Sequence, residues 1–204
     1  MNGPGAALFL RAASALEVDQ TVRGRAVYLR PPMATDFAEW AALRQESRAF
    51  LVPWEPIWPV DDLSRSAFRR RIRRYHRDMR EDAGYPFFVF RQADHVLVGG
   101  LSFSYVRRGV TQACSLGYWI GERHARRGYM SDAVGAVLTF AFGSLRLHRV
   151  EAACLPHNAA SIGLLEKVGF QREGYARRYL CINGSWQDHL LYAVVADDPL
   201  PLQR

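Results

Sequence analysis

The apolar positions of the chain fall into two periods. Residues 61–82, DDLSRSAFRRRIRRYHRDMRED, place Phe68, Ile72, Tyr75 and Met79 at spacings of four, three and four. That is one face of a helix, and Arg69, Arg70, Arg73, Arg74, Arg77 and Arg80 cover the rest. Asp61 and Asp62 stand at its start, where the helix dipole favours negative charge. Residues 35–47 predict a second helix with Thr35 as its cap, and Phe37, Trp40 or Ala41, and Arg44 on adjoining turns. A third runs from about Ser131 to Phe142 with Val134, Val137, Leu138 and Ala141 inward. A fourth, over 158–170, is entered through Asn158 and left through Gly169.

The other period is two. RAVYLRPP (25–32) starts as a strand and is stopped by two prolines. Residues 85–106 predict a hairpin. Its first strand is continuously apolar, and its second alternates, with Leu97, Leu101, Phe103 and Tyr105 on one face and Ser102 and Ser104 on the other. Further strands are predicted over 112–121 and over 148–156, the latter ended by Pro156. Two more, around 175–183 and 185–195, flank Asn183–Gly184, a strong hairpin turn. FLVPWEPIWP (50–59) carries three prolines and two tryptophans and reads as an ordered loop. The order is β, two helices, a β meander, α, β, α, β, β. It predicts an α/β (α+β) fold, a mixed central sheet flanked by helices in a single domain. Strands 112–121 and 148–156, joined through a helix by a right-handed crossover, should run parallel. The domain is expected over 23–198, behind an N-terminal arm over 1–22.

With 204 residues, 49% of them apolar, the chain can build one substantial core. No apolar run approaches ~20 residues, so no spanning helix is predicted. The first residues lack a basic segment and are cut short by Arg11, so they do not read as a signal peptide. The formal net charge is +7, and Lys167 is the only lysine. Arginine forks suit phosphates and carboxylates. Charge alone does not choose among RNA, an acidic cofactor and an acidic partner. The arginine-rich helix reads either as a solvated face over a buried stripe or as a surface for RNA or acidic protein. Cys114, Cys154 and Cys181 show no CxxC or Cys/His spacing, so no metal site is expected and reduced thiols in a cytoplasmic protein are the default.

Chemistry concentrates in ERHARRGYMSDAVG (122–135), where a basic run meets one glycine and a helix begins. The N–H groups of a helix start form an anion site, and Gly128 lets the backbone approach closely. Neither GxGxxG nor GxxxxGK[ST] is present. Glu151 and Glu55 are candidate general bases, each with a structural role as the other reading, such as an ion pair with an arginine for Glu151; Asp188 and His189 stand behind them.

RRGYMSDAV, followed by HRVEAACLPHNAASIGLLEKVGF, resembles the acetyl-CoA site of the GCN5-related N-acetyltransferases (GNAT). Within them it resembles the RimJ/RimL branch, which acetylates protein N-termini. PWEP, LGYWIG and EGYARRYLCINGSWQDH are most similar to RimJ-type ribosomal-protein-alanine N-acetyltransferases, so the resemblance spans about 25–195. It implies a GNAT fold, acetyl-CoA as cosubstrate without a metal, and transfer to the N-terminal α-amine of a protein, alanine preferred, with ribosomal proteins as targets. It also implies that amides of Arg126, Arg127, Gly128, Tyr129 and Met130 cradle the pyrophosphate. Trp119, Ile120 and Asn158 would hold the pantetheine arm between two splayed strands, with a backbone N–H near Ile120 as oxyanion donor.

The sequence departs from the family pattern at several places. Ala125 occupies the first position of the loop motif, Arg126 a frequent glycine and Met130 the last small residue. Leu165 stands where some relatives carry a tyrosine that protonates the thiolate; the resemblance to the RimL type implies Ser161, three residues after the asparagine, as the acid, and an ordinary first-turn helix serine is the other reading. Leu180 falls near a glutamate of the branch, which leaves Glu151, Glu55 or solvent as the base. Trp54, Tyr179 and Trp186 are expected to wall the acceptor's entry. A rival acceptor in the same fold is a small amine, which would need a closed acidic pocket. A rival outside enzymology is a ribosome- or RNA-associated assembly factor using helix 65–80.

Overall fold

The computed structural model describes residues 21–201. The arm expected over 1–22 lies outside them except at its end, where Val22 already pairs in the sheet. Among the described residues eight strands form one sheet: β1 (Val22–Arg23), β2 (Val27–Arg30), β3 (Tyr85–Arg91), β4 (Leu97–Arg107), β5 (Ala113–Ile120), β6 (Arg149–Cys154), β7 (Gln171–Ile182) and β8 (Ser185–Val195). Their order is β1-β2-β3-β4-β5-β6-β8-β7. All neighbours are antiparallel except β5 and β6, the pair joined by the crossover. The helices are α1 (Phe37–Glu46), α2 (Arg48–Leu51), α3 (Arg65–Arg80), α4 (Tyr129–Gly143) and α5 (Ala159–Lys167).

The continuously apolar β3 is buried on both faces. Phe87 and Val89 join the larger core with Val134, Val137 and Leu138 of α4 and Leu165 of α5. Phe88 and Phe90 face the other way, against Trp40 and Leu43 of α1 and Phe68 and Ile72 of α3. Strand alternation thus divides the helices between two sides of the sheet.

Two positions in β4 depart from regular alternation. The β3–β4 register slips between Val89↔Gly99 and Phe90↔Leu97. This bulge sends Val98 into the α4-side core and Leu97 into the α1/α3-side core, so Leu97 does not share a face with Leu101 and Phe103 as expected. A second slip, between Ser104 and Arg107 against β5, turns Tyr105 out to 76% exposure at φ 52°.

The helix starts differ as well. Ser64 caps α3, its Oγ accepting from the Ala67 N–H at 3.1 Å, so Asp61 and Asp62 precede the helix. They pair instead with Arg70 (2.5 Å) and Arg71 (2.6 Å). Arg71 is half-buried and lies 4.9 Å from the Trp40 ring, outside the solvated arginine face. Thr35 sits in a tight turn before α1 and caps nothing; Asp36 there is held by Arg30 at 2.8 and 2.6 Å.

One carboxylate ties the N-terminal strands to α4. Asp132, in the first turn of α4, accepts from the N–H groups of Arg25 (2.9 Å), Ala26 (2.7 Å) and Val27 (3.2 Å). A Cβ on Gly24 would lie 2.6 Å from that carboxylate, which explains the glycine. Asp132→Ala leaves these donors without their acceptor and should lower the unfolding free energy by about 2 kcal/mol, the scale of charged hydrogen bonds. Urea denaturation measures it, and an unchanged midpoint would show that solvent replaces the carboxylate in full.

Candidate active site

β5 and β6 pair at only three positions: Ala113↔Arg149, Cys114↔Val150 and Ser115↔Glu151. Beyond them β5 follows β4 to Ile120, and β6 follows β8 to Cys154↔Leu190. The strands part and leave a cavity of 680 Å³. Leu116, Tyr118 and Ile120 line one side of it, and Ala153, Cys154 and Leu155 the other. The Gly121 N–H donates to the Val98 carbonyl at 2.9 Å, which sets the phase of the β4–β5 ladder. By antiparallel alternation, Trp119 is bonded to β4, while the backbone groups of Tyr118 and Ile120 point into the gap. The edge expected at Trp119 and Ile120 is therefore an edge of Tyr118 and Ile120. Trp119 contributes its indole: a Cβ on Gly100 would lie 2.6 Å from its Nε1.

At the end of the gap, α4 starts at Tyr129 behind Gly128, whose φ is 82°. A Cβ there would meet nothing within 4 Å, so the backbone conformation, not crowding within the protein, calls for glycine. Arg126 also sits at positive φ, 60°. This is the motif position where relatives often carry glycine, and an arginine there costs roughly 1–2 kcal/mol. The first helical bond runs from Asp132 N–H to the Gly128 carbonyl at 3.0 Å. The amides of Tyr129, Met130 and Ser131 precede it and have no partner within the helix, the usual state of a first turn. Arg126, Gly128, Tyr129 and Met130 line the cavity; Arg127 is exposed and lies outside the lining. Met130 turns its side chain into the core. His124, not singled out by the sequence, is buried in the same wall. Burial and the neighbouring Arg123, Arg91 and Arg127 push its pKa down, so it is neutral at pH 7.

Across the gap, α5 begins at Asn158, whose Oδ1 accepts from the Ser161 N–H at 3.1 Å. This N-cap turns Ser161 toward β5, where its Oγ lies 2.5 Å from Tyr118 Oη. Asn158, Ser161, Tyr118 and Cys154 all line the cavity. Burial pushes the Tyr118 pKa up. Leu165 is fully buried in the core. Sequence reasoning missed Tyr118. Alternation along LGYWIG places it on the α4 side, but its partner is 43 residues away.

The two candidate carboxylates are in different places. Glu55 lines the cavity and is held by Arg44 at 2.8 and 2.7 Å and by the Trp58 indole N–H at 2.7 Å. Arg44 is buried and lies 4.1 Å from the Trp58 ring and 5.0 Å from the Trp119 ring. Glu151 is not brought into the cavity. It takes Arg107 at 2.6 Å and Arg149 at 3.0 Å. Burial would raise its pKa, but the two guanidiniums outweigh it and hold the carboxyl below its ordinary value. Asp188 accepts from Tyr175 Oη at 2.5 Å and from the Arg178 N–H at 2.7 Å. His189 is buried in the cavity wall.

The three aromatic residues expected at one entry are divided. Trp54 lines the cavity and lies against His157 at 5.5 Å. Trp186, exposed, belongs to a second cavity of 360 Å³ with His157, Tyr175, Arg178 and Asp188. Tyr179 packs edge-on against His189 at 5.9 Å and lines neither. Among the described residues no three His, Cys, Asp or Glu are grouped to hold a metal.

The family model of the acetyltransferase (GNAT) domain matches residues 26–171. The chain is 36% identical over 177 residues to the probable N-acetyltransferase YjcK of Bacillus subtilis, covering 87% of this chain and 98% of that protein. It is 35% identical over 156 residues to the [ribosomal protein uS5]-alanine N-acetyltransferase of Escherichia coli, covering 76% and 80%. The structure of Mycobacterium smegmatis RimJ in complex with CoA-disulfide superposes with a TM-score of 0.83 at 30% identity, covering 90% of each chain. Parted strands, open edge groups and a glycine-led helix start thus sit in a fold whose solved relative carries coenzyme A. This chain belongs to the GNAT family, as an acetyl-CoA-dependent N-acetyltransferase related to the ribosomal-protein-alanine acetyltransferases.

Proposed function

We propose that the enzyme acetylates the N-terminal α-amine of a protein in the cytoplasm, alanine first, with a ribosomal protein as target. The observation that carries this reading is the charge of the cavity. Among the described residues Glu55 is the only carboxylate in its lining, and Arg44 and Trp58 occupy both of its oxygens. A polyamine or aminoglycoside site needs several carboxylates free for ammonium groups. Phe50, Leu51, Trp54, Leu180 and Ile182 line the cavity instead and suit a single small amine-bearing end. The relative named for alanine acetylation of ribosomal protein uS5 supports the same class of acceptor.

The cosubstrate supplies an acetyl group activated as a thioester, and the residues present fit it. Open space before Gly128 and the first-turn amides of α4 suit its pyrophosphate, with the Arg126 guanidinium alongside. The edge of Tyr118 and Ile120, with Asn158 opposite, suits the amide-bearing arm. The Ile120 N–H, turned into the gap, is the donor proposed for the carbonyl oxygen as it gains charge. A peptide α-amine has pKa near 8, so a neutral fraction exists at pH 7 and water suffices to take its proton. Ser161 is the proposed donor to the departing sulfur. Glu55 serves the wall, not proton transfer, and Glu151 serves the sheet.

The exposed arginines of α3, including Arg69, Arg73, Arg74 and Arg80, lie outside the cavity. They are proposed to guide association with acidic protein surface or rRNA. Steep loss of binding to ribosomes with added salt would support that contact.

Gly128→Val forces a β-branched residue to positive φ and disturbs the first-turn amides. It should weaken acetyl-CoA binding by ~1–3 kcal/mol in a folded protein, the scale of local backbone strain. Calorimetry showing unchanged affinity would place the pyrophosphate elsewhere. For the acceptor, peptides beginning with alanine, serine or leucine are compared with a peptide whose α-amine is blocked and whose lysine is free. The alanine peptide should turn over fastest, and faster acetylation of the lysine would overturn the α-amine reading.

A further inference from the structure

A serine hydroxyl is a weak acid. If Ser161 gives its proton to the leaving sulfur, it needs another proton at once, because an alkoxide in a half-buried site is costly. Tyr118 Oη is 2.5 Å from Ser161 Oγ. A phenol, of ordinary pKa near 10, is the stronger acid of the two hydroxyls and the natural donor in the pair. With Tyr118 donating to Ser161 Oγ, the serine's own proton is free to turn into the cavity that both residues line. The N-cap bond from the Ser161 N–H to Asn158 fixes the backbone that carries the hydroxyl.

We propose that Tyr118 is a positioning residue that acts through Ser161, orienting its proton toward the sulfur of the thioester and replacing that proton as the C–S bond breaks. The neutral amine attacks the carbonyl carbon and gives up one proton to water. The C–S bond then breaks with its electron pair going to sulfur. The Ser161 proton goes to sulfur, the Tyr118 proton goes to Ser161 Oγ, and water returns a proton to Tyr118. One proton leaves the amine and one reaches the thiol, so the step balances without an added reagent. Burial raises the Tyr118 pKa, so the phenol stays protonated throughout the working range. The relay fills a place left empty on α5, where Leu165 is fully buried and has no acidic proton to give. It rests on the proposal that Ser161 faces the thioester, not on the identity of the acceptor.

The test uses the full chain, acetyl-CoA and whichever amine the unmodified enzyme turns over fastest. Tyr118→Phe should lower kcat about tenfold or more, the usual range for a proton donor. Acetyl-CoA affinity by calorimetry should stay within about twofold, as expected for an interaction used in the transition state. Ser161→Ala should do the same, and the double variant should be no slower than Ser161→Ala alone, because both act on one proton. 3,5-Difluorotyrosine at position 118 keeps the hydroxyl and the shape. It should restore turnover and bring the alkaline limb of the kcat profile to lower pH, a change that packing alone would not produce. An unchanged kcat in Tyr118→Phe, or additive losses in the double variant, would overturn the proposal. Cys154 also lies beside Ser161 and has a titratable proton. A rate lost in Cys154→Ala and kept in Tyr118→Phe would give the relay to the thiol and overturn it too. If Ser161→Ala alone retains full kcat, the assignment of Ser161 as donor fails first, and the relay with it.

Discussion

Two strands that stop pairing after three residues are the constraint on which the rest of this molecule depends. β5 keeps β4 and β6 keeps β8, and each follows its outer partner away from the other. The polar backbone groups this leaves at Tyr118 and Ile120 would be costly if sealed in a dry core. They lie instead along a cavity that admits water or a ligand. The parted ends are braced: β5 reaches across through Tyr118, and α5 answers through Ser161. On the far side, α4 brings its unpaired amides to the same opening, held at its first turn by Asp132. The proposed cosubstrate site, acid and oxyanion donor all follow from one incomplete ladder.

Many carboxylates of the described residues are bound to arginines. Asp36, Glu55, Asp61, Asp62, Asp82, Asp94, Glu151 and Glu173 each pair with a guanidinium. The cavity lining is left with Arg126 and Lys167 against the one paired Glu55. A polyanionic cosubstrate therefore meets favourable charge at the site, while a polycationic acceptor finds no free carboxylate among the described lining residues. The same pairing explains why Glu151, a plausible base from its type alone, is ill suited to the role: two arginines already stabilise its charged form.

The fold was largely legible in the sequence because its elements are long and regular. Val134, Val137, Leu138 and Ala141 face inward as their spacing predicts, and Asn183–Gly184 turns the last hairpin at positive φ. What was not legible follows from irregularity. A single extra residue near Val98 moves Leu97 to the opposite face, and no period-two reading can see it. In the site, the anion loop was readable because basic residues, glycine and helix start are contiguous. The Tyr118–Ser161 pair was not, because each residue alone is ordinary and only the packing of α5 against β5 brings them together. Trp54 and Trp186 show the converse: both are large aromatics near one end of the sheet, yet they line different cavities.

The outer edge of the sheet carries one more consequence. β7 is the last strand on that side, twelve residues long and mostly exposed, and would offer a template for a second chain. Its ladder is broken between Arg172 and Gly174 and again between Ala176 and Leu180. Arg172, Arg177 and Arg178 project charge along it. The opposite edge is only the two-residue β1. Among the described residues, neither side presents a long, flat, uncharged strand for a second chain to pair with. Edge-to-edge growth of the sheet is discouraged in this way without closing it into a barrel.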